Sequence, residues 1–346
     1  MLIRKIFRGF CSLALTIITF VLMIGIFELF FFYIDRDEYV INYPQTREAH
    51  PILGTDNIAN YRCRHCIQKY DQSFVFKTYT IKDGNRVSVG NDDSKDKFIA
   101  LFGCSYAFGW GCNDDETFLS KVGQYLPQYN LYNFGVSGSA TQHMYWKLKS
   151  GKVREMVKEE EGLGIYMFWG FQPARIDMFF RTDYAYVFPY FEYDPEIDDL
   201  RCRGTIGGLH PWQKYIYNML RKSNILNHIK FEFPPYTNNL IDKFVDQLHV
   251  SRNYFRNAFE KGRFIVFIPA PESTFPKMHY FKEKLRQRNI EYLQCSKNYY
   301  EAIQSLNMND TMYPDGHLTP LAQDLLAREF CHLLKASNKK EQMQQQ

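Results

Sequence analysis

Residues 98–109 read Phe-Ile-Ala-Leu-Phe-Gly-Cys-Ser-Tyr-Ala-Phe-Gly, an apolar run that passes directly into a serine flanked by glycines. Phe98–Phe102 predicts a buried strand, since a short apolar run bounded by turn residues is typical of a strand covered on both faces. Parallel α/β sheets bind ligands at the carboxyl ends of their strands. Ser105 is therefore expected at a ligand-binding edge, although a serine that only caps the next helix would show the same pattern.

The alternation of short apolar runs with helical segments continues along the chain. Further strands are predicted at 131–136, 163–169, 264–269 and 290–293, and helices at 117–126, 142–160, 239–261, 281–288 and about 319–334. Strands alternating with helices predict βαβ units around a parallel sheet. The expected fold class is therefore α/β.

The sequence also divides into regions. Residues 35–97 predict an irregular preamble with a strand pair at 73–81 and 86–89, around a turn at Asp83-Gly84-Asn85, and the polar stretch 91–97 is the expected domain boundary. The main domain is expected over 98–336. An insertion rich in Tyr, Phe and Pro is expected at about 171–238, with its own helix near 212–225, and the tail 337–346 is expected to be disordered.

The N-terminus carries a long apolar segment. Residues 10–34 contain one charge, Glu28, and are long enough to span a bilayer. Arg4, Lys5 and Arg8 precede the span, so residues 1–9 are expected in the cytoplasm and residues 35–346 outside it. The length of the apolar run favours an uncleaved signal-anchor over a cleavable signal peptide. The expected location is the inner membrane, with the main domain in the periplasm.

Composition excludes several classes of protein. The chain has 346 residues, of which 23% are charged and 17% aromatic, and this excludes a disordered chain. Eight cysteines are too few for a small disulfide scaffold. The net charge is +4 without a concentrated basic stripe, so a nucleic-acid partner is not expected.

A second group of reactive residues lies near the C-terminus. Asp315-Gly316-His317 opens the last predicted helix. A serine hydroxyl becomes nucleophilic when a base such as histidine takes its proton, and a carboxylate on the other ring nitrogen orients that base. His317 and Asp315 are thus the candidate base and orienting group for Ser105. A Gly-x-Ser-x-Gly elbow would need glycine where Ala107 stands, which argues against the α/β-hydrolase fold.

Three short blocks together resemble a known family. Gly103-Cys104-Ser105, Asn133-Phe134-Gly135-Val136-Ser137-Gly138 and Asp315-Gly316-His317-Leu318-Thr319-Pro320 resemble blocks I, II and V of the SGNH (GDSL-type) hydrolases, and residues 109–118 resemble the block I extension of membrane-anchored bacterial members. The resemblance covers about residues 97–335. It implies a flavodoxin-like three-layer α/β/α sandwich and serine esterase or acyl-transfer chemistry without a cofactor or a metal.

The resemblance also implies roles for individual residues. Ser105 would be the nucleophile, His317 the general base and Asp315 its orienting group, with the N–H groups of Ser105 and Gly135 as oxyanion donors. The family's block III supplies an asparagine as a further donor, and Gln172 stands in the corresponding region. Loss of one such donor costs about 10²–10³ in rate.

The substrate that follows from the resemblance is an acylated saccharide or a lipid-like ester, with deacetylation of an envelope glycan or glycolipid as the expected reaction. Two alternatives stay open. One is O-acetyl transfer to a cell-surface polysaccharide, and the other is a non-catalytic glycan-binding or assembly protein that has kept the fold. No protein partner is indicated.

Two further patterns are given structural interpretations. Cys63 and Cys66 form a C-x-x-C for which a disulfide or two free thiols is favoured over a zinc or redox site. The acidic run 114–116 is expected to favour the start of the following helix rather than to bind a metal.

Overall fold

The computed structural model describes residues 2–34, 41–42 and 44–345. Its strands are β1 (Ile41–Asn42), β2 (Arg47–His50), β3 (Gly54–Asn57), β4 (Tyr61–Gln68), β5 (Phe74–Lys82), β6 (Asn85–Arg86), β7 (Lys97–Phe102), β8 (Tyr129–Asn133), β9 (Glu161–Met167), β10 (Pro189–Asp194), β11 (Asp199–Thr205), β12 (Lys261–Ile268) and β13 (Glu291–Gln294). Its α-helices are α1 (Leu2–Ile34), α2 (Ser105–Phe108), α3 (Phe118–Tyr125), α4 (Thr141–Lys149), α5 (Lys152–Met156), α6 (Ile206–Leu209), α7 (Pro211–Leu220), α8 (Asn224–His228), α9 (Asn238–Ala258), α10 (Met278–Gln287), α11 (Lys297–Gln304), α12 (Met308–Thr311) and α13 (Pro320–Gln345).

The central sheet contains the five predicted strands. They run parallel in the spatial order β8-β7-β9-β12-β13. Numbered along the chain, this is the order 2-1-3-4-5 of flavodoxin-like sheets. The predicted flavodoxin-like architecture is therefore confirmed.

Alternate side chains of these strands enter two separate cores. On one face, Phe98 and Val266 pack with α4, α5, α9 and α10. On the other face, Ile99 and Phe267 pack with α3 and α13. Both faces of the sheet are thus covered by helices, which gives three layers and explains the nearly continuous apolar strands.

Some helix limits differ from those predicted. The helix expected over 142–160 is divided into α4 and α5 at Gly151, which has φ of +79°. The last helix passes the predicted end near residue 334 and continues to Gln345, so the tail through that residue is helical where disorder was expected. The tail is rich in Lys, Glu, Gln and Met, which are all good helix formers.

The preamble is joined to the central sheet. The predicted strand pair is the antiparallel pair β5 and β6, and β6 meets β8 at Arg86 and Asn133. The strands β4 and β1 extend the same sheet outward. Residues before the expected boundary at 91–97 therefore belong to one continuous sheet with the residues after it.

The acidic run stabilises this junction. Asp114 forms an ion pair of 3.0 Å with Arg86, whose side chain is completely buried. Glu116 forms a second ion pair of 2.7 Å with Lys77. Instead of acting on the following helix alone, these carboxylates join the loop after α2 to β5 and β6.

The insertion has a small core of its own. It contains the hairpin β10–β11 and the helices α6, α7 and α8. The helix expected near 212–225 is present as α7 and α8. The insertion also contacts α1: Ser223 Oγ and the Asn224 N–H donate to the Glu28 carboxylate at 2.5 Å, and the rings of Phe31 and His228 stack with centroids 4.0 Å apart.

Helix α1 carries the apolar N-terminal segment. Leu13–Ile34 is long and apolar enough to cross a membrane, and none of it is buried against the rest of the protein. The segment fits either a membrane anchor or a signal sequence.

Candidate active site

Ser105 lies at the carboxyl end of β7, as predicted, and begins the short helix α2. The turn between them needs Gly103, because its φ is +145° and a Cβ there would lie 3.1 Å from the Met167 carbonyl oxygen. Cys104 is completely buried beside it. The turn therefore presents the serine, and not the cysteine, to the edge of the sheet.

His317 is held over Ser105 by a short loop before α13. The Tyr106 hydroxyl donates to the Gly316 carbonyl at 2.7 Å, and the Tyr313 N–H donates to the His317 carbonyl at 2.9 Å. The Tyr106 ring also lies against the His317 ring, with centroids 5.3 Å apart. Contacts from α2 and from the loop itself thus fix the imidazole.

Ser105, His317 and Asp315 meet in one chain of contacts. His317 Nε2 is 2.9 Å from Ser105 Oγ, and His317 Nδ1 is 3.0 Å from Asp315 Oδ2. The second contact has the distance of an ion pair but not the linear geometry of a hydrogen bond. Contacts of this kind in enzymes without substrate often tighten when substrate binds. The arrangement is that of a Ser-His-Asp triad.

The Asp315 carboxylate stays ionised in this setting. Its side chain is 2% exposed, and it accepts the His317 N–H at 3.1 Å. Burial raises the pKa of this carboxyl, but the close contact and charge of the His317 ring and the hydrogen bond from the His317 backbone N–H, with a smaller effect of His65, outweigh burial and hold the pKa below its ordinary value. A carboxylate that is ionised at neutral pH can stabilise an imidazolium on His317.

The oxyanion donors differ in part from those expected. The Gly135 N–H donates to Asn133 Oδ1 at 3.0 Å, and a Cβ on Gly135 would lie 2.6 Å from the Phe108 nitrogen. Gly135 thus serves the packing of its loop against α2. Gly138, three residues later, lines the same cavity as Ser105, and no acceptor for its N–H occurs among the described residues. Gly138 is therefore the candidate backbone donor.

Gln172 begins a short 3₁₀ turn after β9 and is completely buried. Its Oε1 accepts the Trp169 N–H at 2.9 Å. Its Nε2 has no acceptor within the described part of the chain. The side-chain amide thus keeps a donor that is not engaged elsewhere, although Gln172 is not among the residues lining the Ser105 cavity.

The cavity beside Ser105 and His317 has a volume of about 570 Å³. Two arginines line it, Arg47 from β2 and Arg175 from the 3₁₀ turn. Neither was expected from the sequence, since Arg47 lies in the preamble and Arg175, although it follows Gln172 by three residues, matches no position of the family's blocks. The position of Arg175 shortly after a core strand was the one signal that pointed to this edge.

Neither a metal site nor a disulfide occurs at the C-x-x-C. Cys63 and Cys66 are both free thiols on β4. Residues three apart on a strand face opposite sides of the sheet, so the two cannot approach each other. Among the described residues, no group of three His, Cys, Asp or Glu side chains has the arrangement of a metal site.

Comparisons with known proteins find distant similarity to solved structures. No family model and no curated protein matches the sequence. Solved structures that match include a member of the lipolytic G-D-S-L family from Veillonella parvula, with 12% identity, a TM-score of 0.40, and coverage of 69% of this chain and 98% of that one. The psychrotrophic esterase EstA from Pseudoalteromonas sp. matches with 13% identity, a TM-score of 0.40, and coverage of 71% and 100%.

A family two carbohydrate esterase from Clostridium thermocellum, solved with cellohexaose, matches with 8% identity and a TM-score of 0.43, over 78% of this chain and 70% of that one. These values describe a distant likeness. The roles of residues in this chain follow from the contacts within the site itself.

Proposed function

We propose that the protein is a serine esterase of the SGNH type that acts on acyl esters through a covalent intermediate on Ser105. The distance of 2.9 Å between Ser105 Oγ and His317 Nε2 carries this proposal. A serine in this contact can lose its proton as it attacks a carbonyl carbon, and Asp315 can stabilise the charge that His317 gains.

The reaction would proceed in two steps. Ser105 Oγ attacks the ester carbonyl while its proton passes to His317 Nε2, and a tetrahedral oxyanion forms. The carbonyl then re-forms as the alkoxide leaves and takes the proton from His317, which leaves the acyl group on Ser105. A water molecule, deprotonated by His317, releases the acid and restores the hydroxyl.

The oxyanion would be stabilised by the N–H groups of Ser105 and Gly138, two residues that line the cavity. The Gln172 amide, whose Nε2 has no acceptor among the described residues, would take the place of the asparagine that the family resemblance implies. Donors that are already in place need no reorganisation when charge develops, so each contributes strongly to the rate.

The test uses the full chain in detergent or nanodiscs with a small acetyl ester. We expect that Ser105→Ala and His317→Ala abolish turnover, and that a fluorophosphonate probe labels the wild type but not Ser105→Ala. The exposed residues Ser305 and His279 provide matched controls, and Ser305→Ala and His279→Ala should retain activity. Equal background turnover in all variants, together with absence of labelling, would contradict an esterase.

The same assay separates hydrolysis from transfer. With a sugar acceptor present, a transferase would release less free acetate and form acetylated sugar. A glycan-binding protein would show saturable glycan affinity that Ser105→Ala leaves unchanged. We propose hydrolysis of an acetylated envelope glycan or glycolipid as the principal activity.

The location of this activity is proposed to be the outer face of the cytoplasmic membrane, with α1 as the anchor. The basic residues Arg4, Lys5 and Arg8 before the apolar segment support a cytoplasmic N-terminus, because such residues are enriched on the cytoplasmic side of membrane spans. A reporter that is active only outside the cytoplasm, fused after Gln346, should be active. Activity of a cytoplasmic reporter at the same position would overturn this topology.

A further inference from the structure

The cavity beside Ser105 carries an unbalanced positive charge. Arg47 and Arg175 both line it, and its other lining residues include neither aspartate nor glutamate. Neither arginine forms an ion pair with a carboxylate in the described part of the chain. Arginines in proteins that face no carboxylate are suited to bind an anionic ligand.

Arg175 is buried without full satisfaction of its donors. It is 9% exposed, and its Nη1 donates to the Ser139 carbonyl at 2.9 Å. Its Nε has no acceptor among the described residues. The Phe171 ring lies 4.5 Å from its guanidinium carbon. A buried cation is costly unless it is paired, so an anionic partner would stabilise Arg175.

Arg47 contacts the same loop at the residue before Gly138, whereas Arg175 contacts the residue after it. The Arg47 Nη1 donates to the Ser137 carbonyl at 3.0 Å and would lie 2.7 Å from a Cβ on Gly138. Burial lowers the pKa of Arg47, and the nearby charge of Arg175 lowers it further, against an opposing effect of Tyr184. Both arginines line one cavity and donate to carbonyls two residues apart, so an anion bound there would be attracted by both charges.

The positions of these arginines relate them to the reaction. Their carbonyl partners, Ser137 and Ser139, stand on either side of Gly138, the candidate oxyanion donor. A group bound by both arginines would thus lie next to the ester carbonyl attacked by Ser105. We propose that the substrate is an ester that carries an anionic group, a carboxylate or a phosphate, and that Arg47 and Arg175 bind this group. This inference rests on the proposed esterase function.

The test compares three acetylated substrates that differ in charge: O-acetylglucuronate, O-acetylglucose 6-phosphate and neutral O-acetylglucose. Acetate release by the full chain gives kcat/KM for each. Hydrogen bonds to a charged group contribute enough for a preference of roughly 10- to 100-fold for an anionic substrate. The two anionic substrates show whether the carboxylate or the phosphate is preferred.

Variants then assign the preference to the site. Arg47→Gln should lower kcat/KM far more for the anionic substrates than for O-acetylglucose, and so remove most of the preference. Arg47→Lys should restore part of it, since lysine keeps the charge but not the planar fork. Arg256→Gln, at an exposed arginine of α9, is the matched control. The preference is tested at Arg47 because Arg175 is buried, and substitution of a buried arginine can prevent folding.

The outcomes also distinguish the two proposals. Equal kcat/KM for Ser105-dependent acetate release from all three substrates would overturn the proposal of an anionic substrate. An equal fall in kcat/KM for all three substrates in Arg47→Gln would do the same. Either result would leave the proposed esterase activity intact. Absence of Ser105-dependent release from every substrate would contradict the esterase itself, and the inference with it.

Discussion

Two glycines in the loop after β8 have different structural roles. Gly135 packs against the backbone of α2 and gives its N–H to Asn133. Gly138 has φ of +80° and lies at the cavity under Arg47. A short sequence block with a glycine at each position cannot separate these roles, because the direction of each N–H depends on the turn between them.

The pH dependence of stability should report the state of Asp315. The pKa of its carboxyl is lower in the folded protein than the ordinary value of 3.8, because contacts with His317 outweigh burial. Its contribution to stability is therefore fully present above that ordinary value and is lost as the pH falls through the folded-state pKa. We expect the thermal midpoints of wild type and Asp315→Asn to differ most near neutral pH and to converge in acid.

Activity provides a second measurement on the same variant. Asp315→Asn should lower kcat by about 10²–10⁴, since the amide no longer stabilises the imidazolium on His317. A midpoint difference that grew in acid, or an unchanged kcat, would contradict the role given to this carboxylate.

Gln172 can be tested as an oxyanion donor separately from its role in the turn. Gln172→Glu retains an acceptor for the Trp169 N–H but removes the Nε2 donor, whereas Gln172→Met removes both. If Nε2 stabilises the oxyanion, both variants should lose about 10²–10³ in kcat with a smaller change in KM. Normal kcat in Gln172→Glu together with a loss in Gln172→Met would limit this residue to holding the turn.

At the scale of elements, the core strands were predicted well and the contacts of loops were not. The five apolar runs are strands because burial on both faces of a parallel sheet requires continuous apolar sequence. Ser105, Asp315 and His317 were also found from their residue types and order. Arg47 could not be predicted, because its place at the site depends on how the preamble packs on the loop after β8, and no local pattern records that contact.

The ion pair between Asp114 and Arg86 should be important for joining the preamble to the sheet. Arg86 is completely buried, and removal of its carboxylate partner leaves an uncompensated charge. Asp114→Ala should therefore lower the free energy of unfolding by about 3 kcal/mol or more. The adjacent Asp115 is exposed, and Asp115→Ala is a matched control expected to change stability by less than about 0.5 kcal/mol.

The free energy of unfolding of both variants can be measured by denaturant unfolding of the full chain in detergent, followed by circular dichroism. Equal stability of Asp114→Ala and Asp115→Ala would show that this ion pair does not hold the junction.

At the scale of the whole molecule, both the insertion and α1 expose large apolar side chains. On α7, the exposed residues Trp212, Tyr215, Ile216, Met219 and Leu220 have the spacing of one helix face. The neighbouring helix α8 contacts α1 through Glu28 and Phe31. If α1 spans a membrane, as proposed, the amphipathic helix α7 is expected to lie in the lipid headgroup region, with its apolar face toward the acyl chains.

Tryptophan fluorescence in nanodiscs tests this orientation. Trp212 is 79% exposed in the structure, so a bilayer is the environment that would bury it. We expect lipids brominated on their acyl chains to quench the wild type, and Trp212→Phe to lose most of the quenched fraction. Trp146→Phe, on α4 outside the insertion, is the control and should retain it. Equal quenching in the wild type and in Trp212→Phe would show that α7 lies away from the bilayer. The proposed anchor α1 would then be the one proposed contact with the membrane among the described residues.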